Sequence, residues 1–160
     1  MLDVKRDILP MKNVMYRMAL RLTLNSQEAE DVVQDVIIKL WSMRERLEEV
    51  ENLEAFALRM TRNLALDRQR MKINNTEDID NIEPDRYVTT DHSDRKEQVE
   101  SIRLVMQQLP EKQRSAMQLR DFEGYSYKEI AEMLSMTEDQ VKINIFRARQ
   151  FIKTKLTSFN

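Results

Sequence analysis

The sequence predicts an all-α protein made of two small helical bundles joined by a flexible linker. Apolar residues recur at helical spacing through residues 1–70 and again through residues 98–160. The intervening residues, 71–97, show no periodicity, are rich in Asn, Asp and Thr, and carry too few apolar side chains for a core. A single glycine among 160 residues suits helices far better than sheets or glycine-rich phosphate-binding loops.

The composition excludes several classes of function. Without Cys the chain forms no disulfide and no thiolate metal site, which favours the reducing cytoplasm. The apolar runs are too short to span a membrane, and the first residues lack the apolar core of a signal peptide. The one histidine, His92, lies among acids and lacks partners for metal binding or general-base catalysis. We therefore expect a soluble cytoplasmic protein that needs no metal or cofactor and is not an enzyme.

The charge is distributed unevenly along the chain. A net charge of −2 and an isoelectric point near 5.6 are unusual for a protein that binds nucleic acid by itself. Residues 1–70 are neutral overall, residues 71–97 carry a net charge of −4, and residues 98–160 carry +2. The C-terminal end is locally basic, but too modestly to predict tight DNA binding by this chain alone.

Two helices are predicted at the start of the chain. The first covers residues 11–24 and has one apolar face, formed by Val14, Met15, Met18, Leu22 and Leu24. Asn25, with Glu28 three residues later, is predicted to cap the second helix. The inward face of that second helix consists of Ala29, Val32, Val33, Val36, Ile37 and Leu40, with Trp41 at its edge.

The opposite face of the second helix is polar with one apolar member. It consists of Asp31, Gln34, Asp35, Ile38 and Ser42. A solvated face is one interpretation, and a docking surface for a basic partner helix is the other, because Ile38 is placed among carboxylates.

A third helix is predicted from its N-cap, Asn52, to residue 70. The residues expected to pack inward are Leu53, Phe56, Ala57, Met60 and Leu64. A second stripe consists of Arg59, Asn63, Leu66 and Arg70, with Arg62 nearby. These arginines can serve solubility alone, but an Asn among them can both donate to and accept from the edge of a base.

Helical spacing returns after the linker. The first apolar positions there are Val99, Ile102, Val105 or Met106, and Leu109. Pro110 is predicted at the first position of the next helix, whose apolar residues are Ala116, Met117, Leu119 and Phe122. Gly124 is expected to end that helix in a left-handed turn, and residues 153–160 are expected to fray.

Residues 124–149 predict two short helices on a tight turn. Ser126 with Glu129, and Thr137 with Gln140, each form a capping box. The inward residues are Tyr127, Ile130, Ala131 and Leu134 on the first helix and Val141, Ile145, Ala148 and Ile152 on the second. Lys142, Ile143, Phe146, Arg147 and Arg149 lie on the outer face or flank of the second helix. Plain packing remains an alternative, but this pattern is typical of a helix-turn-helix whose second helix reads a DNA major groove.

The chain as a whole resembles the sigma factors of the extracytoplasmic-function group, the smallest class of bacterial promoter-recognition subunits. The stretch AEDVVQDVIIKLW resembles the core-binding helix of the family's first domain, sigma region 2. The stretch FALRMTRNLALDRQR is similar to the minus-10 recognition segment of that domain. Residues 109–156 resemble the second domain, sigma region 4, with the minus-35 reading helix near its end.

The resemblance implies domains, partners and residue roles. Residues 1–70 would be the region 2-like domain, residues 71–97 an acidic flexible linker, and residues 98–160 the region 4-like domain. The protein would bind core RNA polymerase and direct promoter recognition and transcription initiation, with an anti-sigma factor as an expected regulator. Core polymerase would contact Asp31, Gln34, Asp35 and Ile38. The minus-10 element would contact Arg59, Arg62, Asn63 and Arg70, and the minus-35 element Lys142, Ile143, Phe146, Arg147 and Arg149.

Three positions depart from the family's pattern, and two other functions stay open. Ser135 stands where Gly is frequent, and Ile143 and Asn144 stand where many relatives carry Ser and Arg, so the minus-35 sequence does not carry over from relatives. One rival is a sigma-like decoy that binds an anti-sigma factor without reading DNA, which the retained cations disfavour. The other is a free-standing helix-turn-helix repressor, which the lack of a long heptad seam disfavours.

Overall fold

The computed structural model describes residues 2–74, 101–102 and 104–157, which form helices, helical turns and short loops with no strand among them. The chain divides into two compact units, Met1–Arg86 and Tyr87–Asn160. This confirms the predicted all-α class with two helical bundles. Residues 75–97 of the predicted linker, including His92, lie outside the described part of the chain, as does Val99.

The first unit contains three long helices after two short helical turns. The turns are Val4–Ile8, of the π type, and Leu9–Met11, of the 3₁₀ type. The long helices are α1 (Lys12–Thr23), α2 (Ser26–Ser42) and α3 (Leu53–Asn74), with a 3₁₀ turn at Arg46–Glu49 before α3. Helix α3 therefore continues four residues into the stretch predicted as linker.

The predicted caps of this unit are confirmed. The Asn25 side chain accepts a hydrogen bond from the Glu28 backbone N–H at 3.1 Å, and Asn52 accepts one from the Ala55 N–H at 3.0 Å. Leu24 ends α1 in a left-handed conformation, with φ of 56°, and its side chain is 39% exposed. The expectation that Leu24 belongs to the core face was therefore wrong, because the left-handed turn removes it from the phase of the helix.

The core of the first unit lies between α1, α2 and α3, and α3 packs against both other helices. The buried side chains of α1 and α2 include Val14, Met15, Met18, Leu22, Ala29, Val32, Val33, Val36 and Leu40, as predicted. Helix α3 differs from the prediction, because Leu53, Phe56, Met60 and Leu64 are only half-buried. Ala57 is buried as predicted, and the further buried positions include Ala55, Leu58, Thr61 and Ala65, small residues for the most part, which allow two neighbouring helices to approach closely.

The second unit begins with helical residues 101–102 and 104–107. It continues with α4 (Glu111–Met117), a π-helical turn (Gln118–Phe122), α5 (Tyr127–Leu134) and α6 (Glu138–Thr157). Its core consists of Val105, Met106, Leu109, Ala116, Met117, Leu119, Ile130, Ala131, Met133, Leu134, Val141, Ile145 and Ala148. Gly124 has φ of +80°, which confirms the predicted left-handed turn.

Three expectations for the second unit were wrong. Pro110 is the N-cap of α4 rather than its first helical residue. Phe122 is 57% exposed, because the wider π-helical turn shifts the phase of the helix after Leu119. Residues 153–157 are helical rather than frayed, since Phe151 and Ile152 pack against the buried cluster and extend the ordered part of α6.

Candidate polymerase and nucleic-acid surfaces

Helices α5 and α6 each begin with a reciprocal cap. The Glu129 N–H donates to Ser126 Oγ at 3.1 Å, and the Ser126 N–H donates to Glu129 Oε1 at 3.2 Å. Thr137 and Gln140 repeat the arrangement at the start of α6, with distances of 3.1 and 3.0 Å. Both predicted capping boxes are therefore confirmed, and the turn between the helices satisfies its own backbone donors.

The residues predicted to face DNA lie on exposed positions of α6. Val141, Ile145 and Ala148 are buried, which fixes the inward side of the helix. Ile143 is 48% exposed and Phe146 is 63% exposed. Lys142, Arg147 and Arg149 are also exposed. Two large apolar side chains beside cations form a surface that can contact thymine methyl groups and phosphates.

The three cations of this surface have different surroundings. Arg149 donates to Asp121 of the π-helical turn through two bonds, Nε to Oδ2 at 3.1 Å and Nη2 to Oδ1 at 2.5 Å. These hydrogen bonds, together with the charge of Asp121, raise the pKa of Arg149 above its ordinary value. Lys142 Nζ lies 5.6 Å from the centroid of the Tyr127 ring. Arg147 has neither a hydrogen bond nor an ion pair within the part of the chain that the structure describes.

Asn144, one of the positions that departs from the family's pattern, faces its own helix. Its Nδ2 donates to the Gln140 carbonyl oxygen at 2.7 Å and lies 3.9 Å from Met136 Sδ. Ser135 has φ of 56°, so the left-handed conformation that favours glycine is present at this turn. A side chain that is satisfied by its own helix is not available to a base or phosphate without breaking that bond.

The exposed stripe of α3 holds three of the four residues predicted for the minus-10 element. Arg59, Asn63 and Arg70 are exposed, and Arg70 Nη1 lies 3.7 Å from Asp67 Oδ1. Arg62 is only 8% exposed, so it belongs to the packed side of α3 rather than to this stripe. The sequence placed Arg62 beside the stripe because a charged residue is expected outside, but the packing of α3 against two helices buries a wider face.

The acidic face of α2 is exposed as predicted. Ile38 is 66% exposed, and the side chains of Asp31 and Asp35 are 65% and 51% exposed. Trp41, predicted at the edge of the packed side, is 44% exposed and lies one turn from Ile38. The guanidinium of Arg44 stacks 4.4 Å from the Trp41 ring centroid. An aromatic side chain beside Ile38 enlarges the apolar part of this surface, a feature typical of interface centres.

Ion pairs between α2 and α3 were not predicted. Arg68 Nη2 pairs with Asp35 Oδ2, and Arg68 Nη1 lies 3.9 Å from Asp31 Oδ2. Lys72 pairs with Glu28. Two of the four residues predicted to contact polymerase are thus already in contact with a cation of α3. The one signal in the sequence is that Asp31 and Asp35 are four residues apart, on one face of a helix.

None of the described helices is long and apolar enough to cross a membrane. No three acidic or histidine side chains of the described ranges come together in a group that could hold a metal ion.

Comparison with known proteins places both units in one family. Residues 10–72 match the family model "Sigma-70 region 2", and residues 100–152 match "Sigma-70, region 4". The RNA polymerase sigma factor SigZ of Bacillus subtilis is 30% identical over 131 residues, which cover 79% of this chain and 72% of the relative. The RNA polymerase sigma-H factor of Pseudomonas aeruginosa is 31% identical over 148 residues, which cover 85% of this chain and 77% of that protein.

A solved structure supports the same assignment. The sigma factor RpoE from Bartonella quintana, in a co-crystal with the anti-sigma factor NepR, superposes with a TM-score of 0.74 at 25% sequence identity. The match covers 97% of this chain and 97% of that one. The exposed outer face of α6 and the acidic face of α2 are consistent with these likenesses. The chain belongs to the sigma-70 family of RNA polymerase sigma factors, in its extracytoplasmic-function group.

Proposed function

We propose that the protein binds core RNA polymerase in the cytoplasm through its first unit and selects promoters with both units. The observation that carries this proposal is the outer face of α6, where Ile143 and Phe146 are exposed beside Arg147 in a capped helix-turn-helix. Exposed apolar side chains cost little solubility when a groove covers them, and cations beside them attract phosphates. The minus-35 element is the proposed target of this face, and RNA synthesis itself belongs to the polymerase.

The two faces of the first unit are assigned to core polymerase and to the minus-10 element. Polymerase would cover Asp31, Gln34, Asp35 and Ile38 of α2, a surface whose carboxylates suit a basic partner helix. The minus-10 strand would lie along Arg59, Asn63 and Arg70 of α3. Unstacking one base costs a few kcal/mol, which contacts from Asn63 would have to offset.

An anti-sigma factor is the proposed regulator. The Bartonella quintana relative was crystallised with such a protein, and a factor that covers the acidic face of α2 or the outer face of α6 would prevent the proposed contacts. The decoy function makes the opposite prediction for transcription, because a decoy would bind the regulator without giving polymerase any choice of start site.

Run-off transcription with purified core polymerase and a promoter library tests the function. The full chain should confer selection of start sites, and Arg147→Ala should weaken selection at the upstream element by about 10-fold to 100-fold, as expected for a cation that touches a base. Lys112→Ala removes an equal charge from an exposed position of α4, and this control should leave selection unchanged. A chain that binds polymerase without any choice of start site would favour the decoy.

Asn63→Ala separates the two DNA elements. This variant should bind promoter DNA with polymerase but form fewer open complexes, measured by permanganate reactivity of unpaired thymines. Arg147→Ala should instead lower promoter binding while leaving opening of bound promoters intact. Equal loss of both steps in either variant would contradict the division of roles between α3 and α6.

A further inference from the structure

The Arg149–Asp121 pair joins the reading helix to the turn that precedes the helix-turn-helix. The two residues are 28 positions apart in sequence, and the guanidinium donates both Nε and Nη2 to the two carboxylate oxygens. A two-point contact of this kind fixes the orientation of both groups, which a single-point contact from Lys does not. It therefore restrains α6 in direction as well as in distance.

A second link holds the same flank of α6. Tyr127, at the start of α5, lies under the guanidinium of Arg120 at 4.4 Å and within 5.6 Å of Lys142 Nζ. Arg120 also donates to the Tyr125 carbonyl oxygen at 2.9 Å. Residues of the π-helical turn, of α5 and of α6 thus meet around one aromatic ring.

The geometry of the helix separates the two anchored residues, Lys142 and Arg149, from the residues of the outward-facing sector. Lys142 and Arg149 are seven positions apart, so they lie within about 20° of each other on α6, about 10 Å apart along its axis. Ile143, Phe146 and Arg147 occupy an adjacent sector about 100° wide. The anchored flank lies between this sector and the buried stripe of Val141, Ile145 and Ala148.

We propose that Arg149 is a positioning residue of the minus-35 reading helix, and that its bond to Asp121 sets the rotation of α6 that presents Ile143, Phe146 and Arg147 to DNA. This inference rests on the proposed function and revises it at one position. The apolar stripe of Val141, Ile145 and Ala148 sets which side of α6 faces the core, but apolar contact is non-directional and leaves small rotations about the helix axis unrestrained. The bidentate Arg149–Asp121 pair on the flank of α6 restricts this rotation.

Neutral variants of the two partners distinguish positioning from direct DNA contact. The full chain with core polymerase is measured on a promoter with its upstream element intact and on one with that element scrambled. Positioning predicts that Arg149→Gln and Asp121→Asn each lower the preference for the intact element about threefold, and that the double variant is no worse. Direct contact predicts that Asp121→Asn raises the preference, since it frees the cation and removes a negative charge near DNA.

Two further variants keep the inference falsifiable. Arg149→Lys retains the charge but not the two-point geometry, so positioning predicts a loss close to that of Arg149→Gln. The charge-swapped double variant, Asp121→Arg with Arg149→Asp, should recover at least half of the lost preference. The slope of affinity against salt should stay unchanged in Arg149→Gln, whereas loss of a phosphate contact would lower it by about one.

Hydrogen exchange separates this inference from the proposed function. If the parent chain selects no start sites, the proposed function fails, and the pair is then judged by amide exchange of the α6 peptides in the full chain. Positioning predicts about threefold faster exchange in both Asp121→Asn and Arg149→Lys, with Lys128→Ala as an unaffected control on α5. Unchanged exchange in both variants, a raised preference in Asp121→Asn, or a charge swap that recovers nothing would each overturn the inference.

Discussion

The two units differ in how the cations of their candidate DNA-binding helices, α3 and α6, are paired. In the first unit, two cations on the side of α3 that faces α2, opposite the exposed stripe, are paired with acids of α2. Arg68 pairs with Asp35 and lies near Asp31, and Lys72 pairs with Glu28. Ion pairs therefore join the candidate polymerase surface of α2 to the helix that carries the candidate DNA surface, but not to that surface itself.

In the second unit, the anchored cations and the exposed face are separate sets of residues. Arg149 is bound to Asp121 on the flank of α6, whereas Phe146 and Arg147 point outward with no acid of the described residues bound to Arg147. Asp121, the acid bound to Arg149 of α6, is not among the residues predicted to contact a partner.

This difference predicts how partner binding to α2 would affect DNA binding by the first unit. A basic partner that takes Asp31 and Asp35 of α2 competes with Arg68, so partner binding would make a cation of α3 available for a phosphate. Among the described residues, no acid is paired with Arg147 on the outer face of α6, so no such exchange is present there. We expect DNA binding by the first unit to depend on its partner, and reading by the second unit to depend mainly on how α6 is held.

Truncation of the two cores is expected to have the largest effect. Leu58 and Ile130 are each fully buried, one in each unit. Leu58→Ala and Ile130→Ala should each lower the free energy of unfolding of their own unit by about 2–5 kcal/mol. Trp41 is the only tryptophan and lies in the first unit, so its fluorescence in urea reports that unit alone. Leu58→Ala should shift the Trp41 transition, and Ile130→Ala should shift only part of the far-UV circular dichroism transition.

A shared transition would break the comparison. If Ile130→Ala lowers the Trp41 midpoint as much as Leu58→Ala does, the two units unfold as one, and their surfaces cannot be treated as independent. Ile143→Ala is the matched control, because Ile143 is 48% exposed and its truncation should change neither transition by more than about 0.5 kcal/mol.

Loss of a helix cap should have a smaller effect in either unit. Asn25→Ala removes the cap of α2, and Ser126→Ala removes the cap of α5, so each should cost about 1 kcal/mol in its own unit. Ser42→Ala is the control, since its hydroxyl only donates to the Lys39 carbonyl oxygen near the exposed end of α2. A cost for Ser42→Ala equal to that of the two caps would show that the loss is not specific to capping.

These caps also show which features a sequence can predict. Asn25, Ser126 and Thr137 each bond to a backbone group three residues away, so the necessary partners are adjacent in the chain. The exposed face of α6 was predicted for the same reason, because Ile143 and Phe146 follow from the rotation per residue of one helix. Local geometry is thus sufficient to predict the helices and which of their faces are exposed or buried.

The features that were not predicted depend on how elements pack. Arg68 finds its acid 33 residues away and Arg149 finds Asp121 28 residues away, and no local pattern fixes which helix lies next to which. Arg62 is buried because α3 has neighbours on two sides. Phe122 is exposed because a π-helical turn shifts the phase of the helix. Neither case follows from one apolar stripe drawn at a constant 100° per residue.

Left-handed residues provide a third comparison between the units. Leu24 ends α1 and Ser135 ends α5, and they are the two non-glycine residues with positive φ among those that the structure describes. Relief of left-handed strain is worth about 1–2 kcal/mol, and the greater freedom of glycine in the unfolded chain offsets roughly 0.5–1 kcal/mol of it. Ser135→Gly should therefore stabilise the second unit by about 0.5 kcal/mol. Leu24→Gly should gain less, because the partly buried Leu24 side chain is lost, and thermal unfolding compares the two.

The ion pair between α2 and α3 should have the smallest effect on stability. Its side chains are 28% exposed at Arg68 and 51% exposed at Asp35, so water and salt screen the attraction. A double-mutant cycle with Arg68→Gln and Asp35→Asn should give a coupling of a few tenths of a kcal/mol in low salt, falling further at 0.5 M salt. Arg70 and Asp67, more exposed at 3.7 Å, are the matched pair that should show no coupling.

The same double-mutant cycle, measured as affinity for DNA, tests the pair more directly than stability does. If the free chain holds Arg68 against α2, Asp35→Asn should raise its affinity for a single-stranded oligonucleotide about twofold, because the freed guanidinium can meet a phosphate. Arg68→Gln should abolish that gain. With core polymerase present, Asp35→Asn should give no gain over the parent chain, since polymerase already occupies the Asp35 carboxylate of the parent chain and releases Arg68. A gain that survives Arg68→Gln would mean that the lost negative charge acts on DNA directly. The first unit would then resemble the second, with its anchoring pair independent of its DNA face.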